Sequence, residues 1–184
     1  MNEKIKTYTV SILKEVVAII AGILIALFID GWNENRKEQN YLEQIFLTIH
    51  SELKETASDI DDVLPRQKII IDSLTFYSQN SKVSIIDVII KCKGVYIPTI
   101  KTNAWKTLSN SKIDLVSHKQ IMYFSNIEEQ KAILTNKSDH FMTFLYSNFH
   151  ETEKNKKETL QLILQDIIQT EKTIQELIKN REKE

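Results

Sequence analysis

The sequence holds one cysteine, two prolines and three glycines, and each scarcity excludes something. Cys92 alone can form no intramolecular disulfide and supplies no cysteine pair for zinc, so it reads as a small, half-buried thiol. With so few residues that accept a positive φ or fix a turn, loop-rich sandwiches, barrels and phosphate-cradling folds are disfavoured, and helices are the expected element. No G-x-x-x-x-G-K-[ST] and no G-x-S-x-G occurs, which disfavours phosphate-loop and nucleophile-elbow enzymes. His50, His118, His140 and His150 lack a metal-ligand spacing such as H-E-x-x-H. Asp59, Asp61 and Asp62 fall late in an expected helix, without the glycine and ligand alternation of a calcium loop. No catalytic, cofactor or metal site is therefore assigned, and the chain is expected not to be an enzyme. An excess of one charge is missing too: the formal net charge of -1 argues against a globally basic nucleic-acid binder.

What the sequence does have is a hydrophobic stretch near its N-terminus. The run Val16–Ile29, VVAIIAGILIALFI, carries no charge, yet at about 1.5 Å per residue it covers only about 21 Å of a hydrocarbon layer roughly 30 Å thick. Extended back through Tyr8, Val10, Ile12 and Leu13 and forward to Trp32, it reaches about 25 residues, enough to cross, with Tyr8 and Trp32 as interfacial aromatics. Ala26-Leu27-Phe28 and its neighbours offer no small-x-small cleavage site, so an uncleaved anchor is expected rather than a signal peptide. Lys14, Ala18, Gly22, Ala26 and Asp30 recur every fourth residue, a small-residue stripe with charged ends. Small residues let helix backbones approach closely in lipid, where little hydrophobic drive exists, so Ala18, Gly22 and Ala26 are the expected packing face of a homo-oligomer. The alternative is that alanine and glycine are simply common in membrane helices. Lys14, Glu15 and Asp30 are the intramembrane charges that would line or flank a conduction path. Lys4, Lys6 and Lys14 on one side balance Arg36 and Lys37 on the other, and the side on which the following domain lies stays open.

Beyond the anchor (1–31) the polar remainder (32–184) has helical periodicity. Leu42, Phe46, Ile49, Leu53, Ile60 and Val63 follow spacings of four and three, with Thr56 in the missing position. This predicts a heptad-like helix over about 33–64, continuous with the membrane helix and ended or kinked at Pro65. A short antiparallel helix, Arg66 to Tyr77, is expected next, burying Ile69, Ile70, Leu74 and Tyr77. The stretch from Ser84 to Val116 reads as two short helices joined by loops, with Ser109-Asn110-Ser111 as a turn. A helical pattern then resumes from Ser117, with a break near Thr135-Asn136, and a last helix over about 151–181 repeats the rhythm in Leu160, Leu164, Ile167, Ile174 and Ile178. The fold class is all-α: an N-terminal transmembrane helix, a long heptad-like helix and a helical bundle.

Charge is segregated along this domain. Glu34 to Asp62 holds eight acids, and Lys82 to Lys119 holds seven lysines. The ordinary account is solvated faces that pair within the bundle or between subunits. The sharper account is an anionic-partner patch of Lys91, Lys93, Lys101, Lys106 and Lys112 with Tyr96 and Trp105, lysine neutralising phosphate and aromatic faces stacking on bases, which would admit nucleic acid.

Gly22-Ile23-Leu24-Ile25-Ala26-Leu27 followed by Trp32-Asn33-Glu34-Asn35-Arg36-Lys37 resembles the signature of an uncharacterised family of bacterial single-pass inner-membrane helical proteins, an apolar G-I-L-I-A-L run leading into N-W-N-E-x-R. Ala104-Trp105-Lys106-Thr107-Leu108 with Ile113-Asp114-Leu115-Val116 resembles that family's second segment. Phe28, Asp30 and Gly31 depart from it where amides are usual, and no glycine lies near Ser111. The resemblance implies an inner-membrane location and no particular chemistry. In layout alone the chain also resembles small anchored effectors of bacterial antiviral systems. That implies assembly through the N-terminal helix and ion conduction controlled by a protein partner, against the alternative of a passive membrane-tethered adaptor with a helical binding domain.

Overall fold

The structure, a computed structural model, describes the backbone of residues 3–181 and the side chains of 16–180. It is all helix, without strands among the described residues, in the order α1 (Glu3–Phe76), α2 (Ile85–Lys91), α3 (Asn103–Ser111), a 3-10 turn (Ile113–Leu115), α4 (His118–Ser147) and α5 (Lys154–Arg181). Two compact units divide the chain, Met1–Ile45 and Phe46–Glu184.

In the first unit every described side chain from Val16 to Lys37 is exposed. The exposed residues include Ile19, Ile20, Ile23, Leu24, Ile25, Leu27 and Phe28, all more than half uncovered. An 18-residue window here has mean hydropathy 2.1 and none of it is buried, so the helix is long and apolar enough to cross a membrane.

The second unit is a bundle built on the heptad seam of α1. Ile49, Leu53, Thr56, Ile60, Val63, Gln67, Ile70 and Leu74 are all buried, an unbroken alternation of four and three. The helix therefore does not stop at Pro65, which lies inside α1; a separate return helix over 66–77 is not formed. Proline costs a helix interior about 3 kcal/mol in a lost hydrogen bond and a ring clash. Completely burying Ile70 and Leu74 beyond it recovers roughly 1.5–3 kcal/mol apiece, so the seam wins. Seam register also sends Ile69 outward, 56% exposed, where burial was expected.

The last helix repeats the seam with Leu160, Leu164, Ile167, Glu171, Ile174 and Ile178, all buried. Its bonds to α1 and the residue just past it join Gln175 to Asp61 (2.6 Å), Glu171 to Gln67 (2.7 Å) and Lys157 to the carbonyl of Tyr77 (2.9 Å). One partner's number falls as the other's rises, so α5 runs antiparallel to this part of α1. By the same logic α4 is antiparallel to α5, through Tyr123 to the Leu177 carbonyl (3.3 Å) and Lys137 to Asp166 (2.7 Å). No break interrupts α4 at Thr135-Asn136.

The short elements close the bundle. Ser84 with Asp87 and Ser117 with Gln120 form reciprocal capping boxes that start α2 and α4. Two short helices between 84 and 116 are found as expected, but Ser109-Asn110-Ser111 completes the last turn of α3 instead of breaking it. Acids of α1 hold the loop before α3 and the first turn of α3: Asp59 accepts from the Thr99 amide (2.6 Å) and Glu52 from the Ala104 amide (3.0 Å). Part of the acidic section is thus spent on backbone N–H groups of the lysine-rich section.

Candidate functional site

Ala18, Gly22 and Ala26 lie on the exposed apolar part of α1, and a Cβ added at Gly22 would meet nothing within 4 Å. Asp30 is exposed on the same helix. Tyr8, Lys14 and Glu15 have side chains outside the described residues.

The expected anionic-partner patch does not come together as one surface. Trp105 is only 2% exposed and stacks on Phe124 with ring centroids 4.7 Å apart, so its indole is core and has no free face for a base. Lys101 donates to Glu55, which holds the Glu55 carboxyl below its ordinary range and the Lys101 ammonium above its own. Lys106 lines a separate shallow hollow with Lys131 and Glu128. Lys112 is half-buried at the start of the 3-10 turn.

Lys91 and Lys93, by contrast, line one groove with Arg66, Ile69, Cys92 and Tyr96. Its wall is built where α2 ends. Lys93 adopts φ 63° and Gly94 φ 108°, reversing the chain so that the Gly94 amide donates to the Ile89 carbonyl and the Lys93 amide to that of Ile90, both at 3.0 Å. Gly94 takes this conformation without strain, whereas Lys93 takes it against the clash of its own Cβ. Tyr96 fixes the far side, its hydroxyl donating to the Lys93 carbonyl (3.0 Å) and its ring lying 4.7 Å beneath the Arg66 guanidinium. The Lys91 ammonium sits 4.1 Å over the Tyr77 ring.

Behind this groove is a polar pair that sequence reasoning missed. Gln67 of α1 and Glu171 of α5 are fully buried at seam positions. The Gln67 amide nitrogen donates to the Tyr96 carbonyl (2.9 Å) and to Glu171 Oε1 (2.7 Å), which leaves Gln67 Oε1 and Glu171 Oε2 without partners. Burial raises the Glu171 pKa to about 7, opposed by the Gln67 bond and reinforced by Asp59. Also missed was Lys157, fully buried, whose ammonium donates to the carbonyls of Tyr77 and Asn80 (2.9 Å each) just past the end of α1. Burial lowers its pKa, while the carbonyls at a helix C-terminus favour the cation. The skipped hydrophobic at position 171, between Ile167 and Ile174 of an otherwise regular four-three pattern, was the trace of Glu171 in the sequence.

No group of three or more histidine, cysteine, aspartate or glutamate side chains that could hold a metal ion occurs among the described residues. Comparison with family models, with curated proteins and with solved structures finds no match.

Proposed function

We propose that the protein is a non-enzymatic membrane protein. The apolar part of α1 anchors it in the bilayer, the anchors associate through Ala18, Gly22 and Ala26, and the helical domain receives a partner protein. The observation that carries this reading is the uncovered apolar surface of Val16–Ile29. A soluble protein's core helix is covered by its neighbours, whereas a helix apolar on all sides and uncovered calls for lipid. Leaving these large side chains in water would cost on the order of 20 kcal/mol at roughly 1.5–3 kcal/mol each. The resemblance of the anchor to a bacterial inner-membrane family supports that membrane as the location.

Ion conduction under the partner's control is the sharper form of the same reading, supported by the layout and by Asp30 at the end of the apolar run. Fractionation tests the anchor: the full-length chain should stay with membranes through alkaline carbonate and leave only with detergent. Recovery of uncleaved chain in the supernatant would refute it. Assembly is tested by crosslinking Gly22→Ile, whose added side chain should force packed anchors apart and shrink the oligomer while the domain stays folded. Unchanged oligomer size for Gly22→Ile would place the interface elsewhere on the chain, and wild-type protein that carries no ion flux with its partner removed would favour a passive tether.

A further inference from the structure

The groove at the end of α2 carries three cations and no carboxylate in its lining. No carboxylate forms an ion pair with them within 4 Å among the described residues: Arg66 and Lys91 rest on the faces of Tyr96 and Tyr77, Lys93 projects from a strained turn, and Asp87, one helical turn before Lys91, acts on it only through space while its carboxylate accepts from Ser84. An aromatic face holds a cation in place without cancelling its charge. The result is a fixed concentration of positive charge in a chain whose net charge is -1. Lys101 and Lys137, by contrast, have carboxylate partners.

Shape narrows what could answer that charge. The concavity measures about 420 Å³, within the roughly 300–1,000 Å³ range of small-molecule sites, whereas a folded protein partner covers about 800 Å² of surface. Ile69 and Tyr96 contribute apolar surface to its lining. A guanidinium offers paired, planar donors and the ammonium groups add point charges, the combination that suits a doubly charged phosphate over a single carboxylate. We infer that this groove binds a free phosphomonoester of about nucleotide size, its phosphate between Arg66, Lys91 and Lys93 and its organic part over Ile69 and Cys92.

A built-in reporter makes the site testable. Cys92 is the only cysteine of the chain and lines the groove, its thiol 3.4 Å from the Ser73 hydroxyl. On the full-length protein in detergent, alkylation of Cys92 by the neutral reagent N-ethylmaleimide would be timed with AMP, inorganic phosphate, adenosine or phosphatidylglycerol vesicles present, and AMP binding would be titrated in parallel by calorimetry. AMP should slow alkylation and release binding heat, phosphate should do so more weakly, and adenosine should do neither. Arg66→Gln and Lys93→Gly should each raise the half-protecting AMP concentration by about tenfold, as loss of one charge-assisted bond predicts. Both should keep their helical circular dichroism, since the side chains are exposed and glycine suits φ 63° better than lysine. Equal protection by adenosine, AMP affinity unchanged in both variants, or neither protection nor heat would overturn the site. Protection by vesicles alone would assign the cations to a lipid headgroup and overturn the free ligand.

Discussion

At Glu171 a single proton decides whether the centre of the bundle is satisfied. Its carboxyl is completely buried, no cation pairs with it among the described residues, and two acceptor oxygens of the Gln67–Glu171 pair stand without donors. A proton on Oε2 turns one of those acceptors into a donor. Because the folded pKa is raised to about 7 from an unfolded value near 4.3, the native state takes up this proton first as pH falls. Stability therefore rises from about pH 7 down to about pH 4.5 by roughly 3 kcal/mol and is unaffected by this group below that window; above pH 7 the buried charge is an uncompensated cost. Glu171→Gln supplies the missing donor at every pH. It should be more stable than wild type by about 3 kcal/mol at pH 8 and near parity at pH 4.5, read from urea denaturation of the two proteins across that range. Parallel pH profiles would show that Glu171 is already charged when folded.

Among the elements, α1 carries the most tension between local and tertiary preference. Pro65 sits at an exposed position of the helix and leaves the Asp61 carbonyl without its usual i+4 donor. The seam on either side holds the two halves in one register, and Gln175 fastens the Asp61 carboxylate to α5 (2.6 Å). Pro65→Ala should raise domain stability by about 2 kcal/mol, the helix penalty less the ordering that proline imposes on the unfolded chain; chemical denaturation with unchanged dichroism would check it. This conflict is also where the sequence was hardest to read. The four-three rhythm up to Val63 and from Leu160 to Ile178 was visible because isoleucine, leucine and valine mark it. Past Pro65 the seam position is Gln67, which looks like surface until its partner, 104 residues away, is known. Trp105 misled for the opposite reason, since lysines surround it in sequence while Phe124 covers it in space. The groove was half legible: Lys91 and Lys93 stood out as charge, whereas Arg66 reached them only through the fold.

On the scale of the whole molecule, two surfaces with opposite solvent requirements belong to one chain. Residues 16–37 are exposed throughout, while Phe46–Glu184 forms a unit with its own core. A fragment comprising 46–184 should accordingly be soluble without detergent, dominated by helix in circular dichroism, and cooperative on heating; a fragment that precipitates or gives a sheet spectrum would contradict that independence. The seam of α1 also has a history, because the contacts that join it to α5 link residues 104 and 114 positions apart. A ribosome delivers roughly 5–20 residues per second, so about 5–20 s separate the emergence of Gln67 from that of Glu171. For that interval the newly made strip from Ile49 to Leu74 has no α5 to lie against. Apolar surface left uncovered over such an interval is where a growing chain is open to pairing off its pathway, so the length of the excursion between α1 and α5 sets how long that window stays open.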